Sequence, residues 1–278
     1  MEISLSFSPP RYGANMRVIT VLAFKGGSGK TTISLNLGAA LAGRHTVGLI
    51  DMDPQGNASS SLPIVAEGNM TVAEALRRST KDANFTLKLT DFSQVVFPDG
   101  SGIFILPTPD SDELSVVGEY LAANPGGEHS LKRALRNTKG LDALLIDTAP
   151  SITRLTAAAV SAATSVFTVL TEQRWSVEGA VEAQEYVDDA RAFGLTEAKF
   201  GGAILNRDRA RKNASSSVMS GVVKHSKLPV LKTSIPERVS IQEGELMGVP
   251  VVVGSPRSAV AQVFDDLAKE VWRKSKVS

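Results

Sequence analysis

The sequence contains no cysteine among its 278 residues. This absence excludes disulfide bonds, thiol nucleophiles, cysteine-ligated zinc fingers and iron–sulfur ligation. Histidine is also scarce: His45, His129 and His225 stand far apart in the chain, so no local metal motif is formed. Aromatic residues make up 5% of the chain, which argues against a base-stacking surface of the kind that RNA-binding modules use.

Neither sign of charge dominates, because 30 Lys and Arg side chains balance 29 Asp and Glu. A surface for nucleic acid would therefore have to be a local basic patch. The longest apolar-leaning run, residues 155–170, is interrupted by threonine and serine and is shorter than the roughly 20 residues that a membrane-spanning helix needs. Residues 1–15 are polar and lack an apolar stretch behind a basic leader, so we expect a cytoplasmic protein.

Short runs of aliphatic and β-branched residues alternate with longer helical patterns along the chain. This alternation predicts an α/β fold, a doubly wound and mostly parallel sheet with helices on both faces. The continuous apolar run at residues 18–24 is typical of a strand buried on both sides, and residues 31–42 follow as a helix. Further strands are predicted at 47–50, 103–106, 143–146, 166–170 and 203–205, and further helices at 177–190 and 258–274.

No repeat, charge block or low-complexity linker divides the chain. We predict a single domain over residues 16–278, preceded by a flexible N-terminal extension over residues 1–15, because the first strand begins abruptly at Met16. Residues 57–84 are mixed and rich in turn formers. We interpret them as an insertion between elements rather than as a domain boundary.

A glycine-rich segment joins the first strand to the first helix, with the sequence Lys25-Gly26-Gly27-Ser28-Gly29-Lys30-Thr31-Thr32. Backbone N–H groups of such a loop converge on phosphate oxygens, and the helix N-terminus adds the positive end of its dipole. Lys30 would reach the β- and γ-phosphates, and the Thr31 hydroxyl would bind Mg²⁺. An ordinary glycine-rich turn is the alternative, which the flanking strand and helix disfavour.

The loop departs from the common pattern G-x-x-x-x-G-K-[ST]. Phe24 stands where the first glycine is expected, and a second lysine, Lys25, follows it. The residues alone leave two interpretations of Lys25 open, a solvated loop charge and a cation that acts on the bound phosphates.

Three carboxylates follow predicted strands. Asp51 and Asp53 come directly after the second strand, and Asp147 ends the apolar run at residues 143–146, as in a Walker B strand. Open α/β sheets bind ligands at the carboxyl ends of their strands, and acids there hold Mg²⁺ or orient water. A simple turn leaving the strand also accounts for the Asp53-Pro54 step.

Together, the loop, the string Asp51–Asn57 (DMDPQGN) and the Walker B-like strand resemble the ParA/MinD family of deviant Walker A ATPases, most closely the short, Soj-like ParA proteins. The resemblance covers about residues 16–270 and implies slow, partner-stimulated hydrolysis of ATP with Mg²⁺ as cofactor. It implies catalytic roles for Lys25, Lys30 and Asp53, with Asp53 orienting the attacking water. The nucleotide-binding residues that it implies are Lys25, Gly26, Gly27, Ser28, Gly29, Lys30, Thr31, Thr32, Asn206 (as an adenine-edge reader) and Pro236. The metal-binding residues that it implies are Thr31, Asp51 and Asp147.

The resemblance also implies partners. Two copies would form an ATP-sandwich homodimer in which Lys25 reaches the phosphates of the other subunit. The dimer would bind double-stranded DNA without sequence preference, associate with the nucleoid, and work with a ParB-like centromere-binding protein in plasmid or chromosome partition. A local basic patch at Arg209, Arg211 and Lys212 is our candidate for the DNA phosphate contacts.

Three alternatives stay open: a MinD-like membrane-cycling ATPase, another cargo-positioning ATPase, and an ATP-dependent filament. A small-molecule kinase or synthetase on the same scaffold is disfavoured, because the sequence shows no motif for a second substrate. A MinD-like protein would place an amphipathic helix on the membrane. The last predicted helix has an apolar stripe that includes Phe264 and Leu267, but Asp265 and Asp266 beside it would repel anionic lipid. We therefore expect that helix to pack on the sheet, and no membrane partner.

Overall fold

The computed structural model describes residues 16–109, 112–208 and 226–276. The predicted extension at residues 1–15 and the candidate DNA contacts Arg209, Arg211 and Lys212 lie outside these ranges. Within them the strands are β1 (Arg17–Leu22), β2 (Val47–Met52), β3 (Ile64–Ala66), β4 (Ser93–Val96), β5 (Gly102–Leu106), β6 (Ala143–Thr148), β7 (Ser165–Leu170), β8 (Lys199–Asp208) and β9 (Ile235–Pro236).

The strands form one sheet in the order β3-β4-β5-β2-β6-β1-β7-β8-β9. All the pairings are parallel except those of β4, which runs antiparallel to both β3 and β5. The central strands are buried along their whole length, as expected for parallel strands that helices cover on both faces. The predicted fold class, a doubly wound and mostly parallel sheet, is confirmed.

The helices of the described residues, labelled in chain order, are α1 (Lys30–Ala42), α2 (Asn57–Ser61), α3 (Val72–Lys81), α4 (Glu113–Ala123), α5 (Ser130–Leu135), α6 (Arg154–Ala162), α7 (Arg174–Ala192), α8 (Val239–Leu246), α9 (Val251–Gly254) and α10 (Ala259–Lys274). Successive strand residues divide between two core layers. Ile19 and Leu49 pack with α1 and α10, whereas Val18 and Ile50 pack with α3 to α6, because side chains alternate across a strand.

Our interpretation of residues 57–84 as a turn-rich insertion is wrong. The segment holds α2, the edge strand β3, and the amphipathic helix α3. Thr71 caps α3 by accepting a hydrogen bond from the Glu74 N–H, and Val72 and Leu76 are fully buried against the sheet. A capping threonine with glutamate three residues later is a helix-start signal that the sequence carried.

The last helix packs on the sheet as expected. Phe264, Leu267 and Val271 of α10 are fully buried in the same core layer as α1. Near its end, Trp272 stacks on His45 and lies under the Arg17 guanidinium, 3.6 Å from it. In the part of the chain that the structure describes, no helix combines the length and the apolar character needed to cross a membrane.

Candidate active site

The sheet brings most of the predicted site residues to one edge. The glycine-rich loop leaves the carboxyl end of β1, and β6 lies between β1 and β2. Asp147 of β6 is in register with Val21 of β1 and with Asp51 of β2. The loop and the carboxylates therefore meet where parallel sheets bind ligands.

The loop has the backbone conformation that its glycines allow. Gly27 and Gly29 have φ angles of 73° and 84°, in the left-handed region that glycine enters without strain. Gly29 is the residue that precedes α1, and neither a capping side chain nor an acidic residue of the first turn neutralises the helix N-terminus. The first N–H groups of α1 are thus left to an anionic ligand.

Asn206, at the end of β8, holds the loop from the side. Its side-chain amide is buried and donates a hydrogen bond of 2.7 Å to the Ser28 carbonyl. A Cβ atom on Gly29 would lie 2.3 Å from the same amide nitrogen, so only glycine fits there. The structure thus places Asn206 against the phosphate loop, and its role as an adenine reader stays a prediction.

Asp147 interacts with three side chains of α1. Its carboxylate accepts hydrogen bonds from the hydroxyls of Thr31 (2.7 Å) and Ser34 (2.9 Å), and the Lys30 Nζ lies 3.9 Å away. Burial raises the pKa of Asp147, although Lys30 and the two hydroxyls lower it. The carboxylate is completely buried, and the interactions with these three side chains offset the cost of removing its charge from water.

Asp51 is buried beside Asp147. Burial, and then the charge of Asp147, raise the pKa of Asp51 to about 6. The Ser59 N–H and hydroxyl both donate to one Asp51 oxygen at 2.8 Å, and the Asp53 N–H donates to the other at 3.2 Å. Two neighbouring buried carboxylates create a negative site that a cation would neutralise.

Asp53 lies two residues farther along and is 4% exposed. Its carboxylate accepts a hydrogen bond from the Gln55 N–H at 3.0 Å, which closes a turn. Its main-chain carbonyl lies 3.2 Å from the Thr108 hydroxyl, which also donates to the Asp51 carbonyl at 2.7 Å. The main chain of Asp53 is therefore held just after the carboxyl end of β2, beside Asp51.

Lys25 differs from Lys30 in its surroundings. Lys25 is exposed, whereas Lys30 is 7% exposed and lies beside Asp147. The aliphatic part of Lys25 lies against α7, where a Cβ atom on Gly179 would lie 3.2 Å from the Lys25 Cγ.

Pro236, another residue predicted to bind nucleotide, lies on the short edge strand β9 and pairs with Asp208 of β8. Its role in binding stays a prediction.

The residues present fit a nucleotide phosphate and a Mg²⁺ ion. Positive-φ glycines, an uncapped helix N-terminus and Lys30 supply donors for phosphate oxygens. The Thr31 hydroxyl, backed by Asp147, supplies a hard oxygen ligand. Among the described residues, no three His, Cys, Asp or Glu side chains cluster to hold a metal by themselves. A Mg²⁺ ion here would thus take part of its coordination from phosphate oxygens and water.

Sequence reasoning missed three hydroxyls of this site, those of Ser34, Ser59 and Thr108. Ser34 lies three residues after Thr31, the spacing that puts both on one helix face. Thr108 follows the predicted strand at residues 103–106 by two positions, so the strand-end argument that found the carboxylates could have found it. Ser59 carried no comparable signal.

A parallel sheet whose first strand leads through a glycine-rich loop into a helix, with acids at the ends of neighbouring strands, defines the class of P-loop nucleotide-binding folds. A family model described as "AAA domain" matches residues 16–194, more than half of the chain. A cobyrinic acid a,c-diamide synthase from Mycobacterium smegmatis, solved with bound ATP analog and magnesium, is similar with a TM-score of 0.74. It is 27% identical, and the match covers 94% of this chain and 96% of that one.

Two relatives match at higher identity. The sporulation initiation inhibitor protein Soj of Bacillus subtilis is 33% identical over 259 residues, 92% of this chain and 98% of Soj. The chromosome partitioning protein ParA of Caulobacter vibrioides is 30% identical over 260 residues, 92% of this chain and 94% of that protein. The chain belongs to the ParA/Soj family of P-loop ATPases.

Proposed function

We propose that this ATPase is a partition switch: with ATP it forms a dimer that binds DNA, and hydrolysis releases it. The observation that carries the proposal is the contrast between the two lysines of one loop. Lys30 is buried against Asp147, as a residue serving its own phosphate site would be, whereas Lys25 is exposed at the rim of the same site.

ATP and Mg²⁺ are the ligands that this arrangement suits. Lys30 and the backbone N–H groups of residues 26–32 hold the phosphates, and Thr31 binds Mg²⁺. Asp51 and Asp147 would help to hold the ion, and their oxygens are oriented by hydrogen bonds from Ser59, Thr31 and Ser34. The ion supplies charge neutralisation on the phosphates during hydrolysis.

Asp53 is the residue that we assign to the attacking water. Within the described part of the chain, it is the one acid of the three whose carboxylate accepts a hydrogen bond only from a loop N–H, so its other oxygen is available to a water. Its role is to orient that water and to accept a hydrogen bond from it.

Lys25 supplies the link between hydrolysis and assembly. An exposed cation at the rim of one site can reach the phosphates of a second subunit packed against it, the role that an arginine finger plays elsewhere. The γ-phosphate then selects the dimer, and its loss removes the contact. A second copy of this chain is therefore the first partner.

The remaining partners follow from the relatives. The ParA of Caulobacter vibrioides and the Soj of Treponema pallidum are named for chromosome partitioning. For this chain we propose nonspecific binding of the ATP dimer to double-stranded DNA through Arg209, Arg211 and Lys212, association with the nucleoid, and stimulation by a ParB-like protein. Phosphate contacts by Lys and Arg need no base-reading groups.

Co-sedimentation with nonspecific duplex DNA tests the proposal. The full chain is assayed without nucleotide, with ADP, and with ATP plus Mg²⁺, at one fixed salt concentration because affinity depends steeply on salt. We expect binding in the ATP sample alone, and its loss when Arg209, Arg211 and Lys212 are changed together to Ala.

Absence of binding in all three samples would contradict the DNA switch while leaving the ATPase intact. Sedimentation with liposomes would then test a membrane-cycling role, and light scattering with ATP would test a filament. ATP-independent binding of equal strength would also contradict the switch, because the nucleotide would then select nothing.

A further inference from the structure

Thr108 is a residue outside the phosphate loop and the acidic strand ends, yet it touches both Asp51 and Asp53. It is 6% exposed and lies just after β5, the strand next to β2 in the sheet. Its hydroxyl donates to the Asp51 carbonyl at 2.7 Å and lies 3.2 Å from the Asp53 carbonyl.

The sequence explains why a side chain takes this place. The pairing of β2 with β5 ends where Ile50 meets Leu106, although β2 continues through Asp51 to Met52. The next residue of β5 would be Pro107, which has no N–H to donate. The Thr108 hydroxyl supplies the donor instead, so the ladder is extended by one side-chain hydrogen bond at the point where the acids begin.

A second hydrogen bond ties Thr108 to the side chain of Asp51. The Thr108 N–H donates to the Ser59 hydroxyl at 2.9 Å, and that hydroxyl donates to the Asp51 carboxylate at 2.8 Å. Thr108 therefore holds Asp51 at its carbonyl directly and at its carboxylate through Ser59. Because both the main-chain carbonyl and the carboxylate of Asp51 are held, the Asp51 side chain has little freedom to rotate.

We infer that Thr108 is a positioning residue for hydrolysis, which sets where the Asp53 carboxylate stands relative to the phosphate site. The inference rests on the proposed role of Asp53. The hydrogen bonds of Thr108 go to Asp51, Asp53 and Ser59 and not to the phosphate loop, so we expect it to affect the chemical step rather than nucleotide affinity. Misplacement of a reacting group by about 1 Å costs on the order of 100-fold in rate, and the anchor exists to prevent it.

The test compares Thr108→Val with Thr108→Ser in the full chain, with ATP and Mg²⁺. Valine has the shape of threonine without the hydroxyl, whereas serine keeps it. We expect Thr108→Val to lower kcat by about 10-fold or more with KM for ATP unchanged, because it removes an interaction that affects the chemical step and not binding. Thr108→Ser should restore kcat to within about 3-fold of the unmodified chain.

A matched control separates positioning from stability. Thr196 lies just before β8, on the other side of the central strands, and is also buried. Its hydroxyl donates to the Val160 carbonyl at 2.7 Å and accepts from the Ala198 N–H at 3.1 Å. Thr196→Val removes a similar donated hydrogen bond, and the one accepted from Ala198, away from the site. It should lose at least as much thermal stability as Thr108→Val while keeping the turnover of the unmodified chain.

Hydrogen exchange supplies a readout that does not depend on turnover. Without nucleotide, the amides of Asp53, Gln55 and Ser59 donate to the two carboxylates. We expect them to exchange faster in Thr108→Val than in Thr196→Val. If Thr108→Val does not fold, Ser59→Ala on the partly exposed α2 carries the same expectation for kcat and exchange.

The Asp53→Ala variant distinguishes failure of the inference about Thr108 from failure of the proposed role of Asp53. If Asp53→Ala loses turnover while Thr108→Val keeps both turnover and slow exchange, the positioning role is overturned and the proposed role of Asp53 stands. If Asp53→Ala keeps normal turnover, the proposed role of Asp53 is overturned, and the inference about Thr108 falls with it.

Discussion

Asp51 and Asp147 stand opposite each other in the register of β2 and β6, and neither side chain is exposed to solvent. Each carboxyl has a pKa above its ordinary value, because burial disfavours the charged form; the charge of Asp147 adds to the effect on Asp51. In the protein without nucleotide, ionising these two carboxyl groups is therefore less favourable than ionising a free aspartate.

The raised pKa of Asp51 predicts how the stability of the fold depends on pH. The pKa of Asp51 is about 6 in the folded chain and 3.8 ordinarily, so between these values the folded state binds more protons than the unfolded state. The free energy of unfolding then falls as pH rises through this window, by on the order of 3 kcal/mol. Urea titrations of the metal- and nucleotide-free chain from pH 4.5 to 7.5 measure this slope, and Asp51→Asn should flatten it. An unchanged slope in Asp51→Asn would remove Asp51 as its source.

Substitutions of the two lysines of the loop should affect different properties, ATP binding for Lys30 and turnover for Lys25. Lys30→Ala should abolish ATP binding, because it removes the buried cation beside Asp147. Lys25→Gln should leave ATP affinity within about 2-fold of the unmodified chain, since Lys25 is exposed, but should stop turnover. Binding of a fluorescent ATP analogue and phosphate release measure the two effects. Normal turnover in Lys25→Gln would overturn the role of Lys25 on a partner's phosphates.

Asp53→Ala should trap the ATP-bound dimer. Without the carboxylate that orients water, ATP persists and the state it selects accumulates. Size-exclusion chromatography with ATP and Mg²⁺ should show a dimer for Asp53→Ala and no dimer with ADP. A variant that elutes as a monomer with ATP would contradict the assignment.

Two glycines of the loop should tolerate alanine very differently. Gly29 has a φ of 84°, and a Cβ there would meet the Asn206 amide at 2.3 Å, whereas a Cβ on Gly26 would meet nothing within 4 Å. Gly29→Ala should lower the free energy of unfolding by about 2 kcal/mol, partly from the left-handed backbone. Gly26→Ala should leave it nearly unchanged. Thermal unfolding without nucleotide compares them, and equal melting temperatures would contradict the geometry.

The last helix offers a test of the docked interpretation against a membrane role. Phe264 is fully buried, whereas Phe193 is 87% exposed. Phe264→Ala should cost roughly 3 to 5 kcal/mol of stability, and Phe193→Ala almost nothing. Urea denaturation measures both. If Phe264→Ala kept full stability and instead lost binding to anionic liposomes, α10 would be a membrane helix.

Most of the sheet could be predicted from the sequence, because strands buried on both faces appear as continuous apolar runs. The predicted second and Walker B-like strands were two residues short at their carboxyl ends. Polar Asp51 and Asp147 remain in the ladder there, where a hydrophobicity pattern stops. In β8 the predicted strand at residues 203–205 omits the first half, which contains the pair Gly201-Gly202. A Cβ on Gly201 would lie 2.4 Å from the Phe167 ring, so tertiary packing excludes the apolar residues that mark a strand.

The charged groups of the site and the Thr31 hydroxyl could be predicted, whereas the contacts that Ser59 and Thr108 make with Asp51 could not. Lysines and carboxylates at strand ends and in a glycine loop form a spaced pattern, since each needs a ligand or a partner to be buried. Ser59 and Thr108 reach Asp51 through the fold, over sequence separations of 8 and 57 residues. No local spacing encodes such a contact.

The hydrogen bond from Asn206 to the Ser28 carbonyl gives the phosphate loop a mechanical connection to the rest of the chain. Arg209, the first of the proposed DNA contacts, is the third residue after Asn206, which is at most about 10 Å of extended backbone. Asn206 thus joins the phosphate loop to the stretch of sequence that leads to the proposed DNA contacts. The proposed coupling between nucleotide state and DNA binding has to span only a few peptide units of chain.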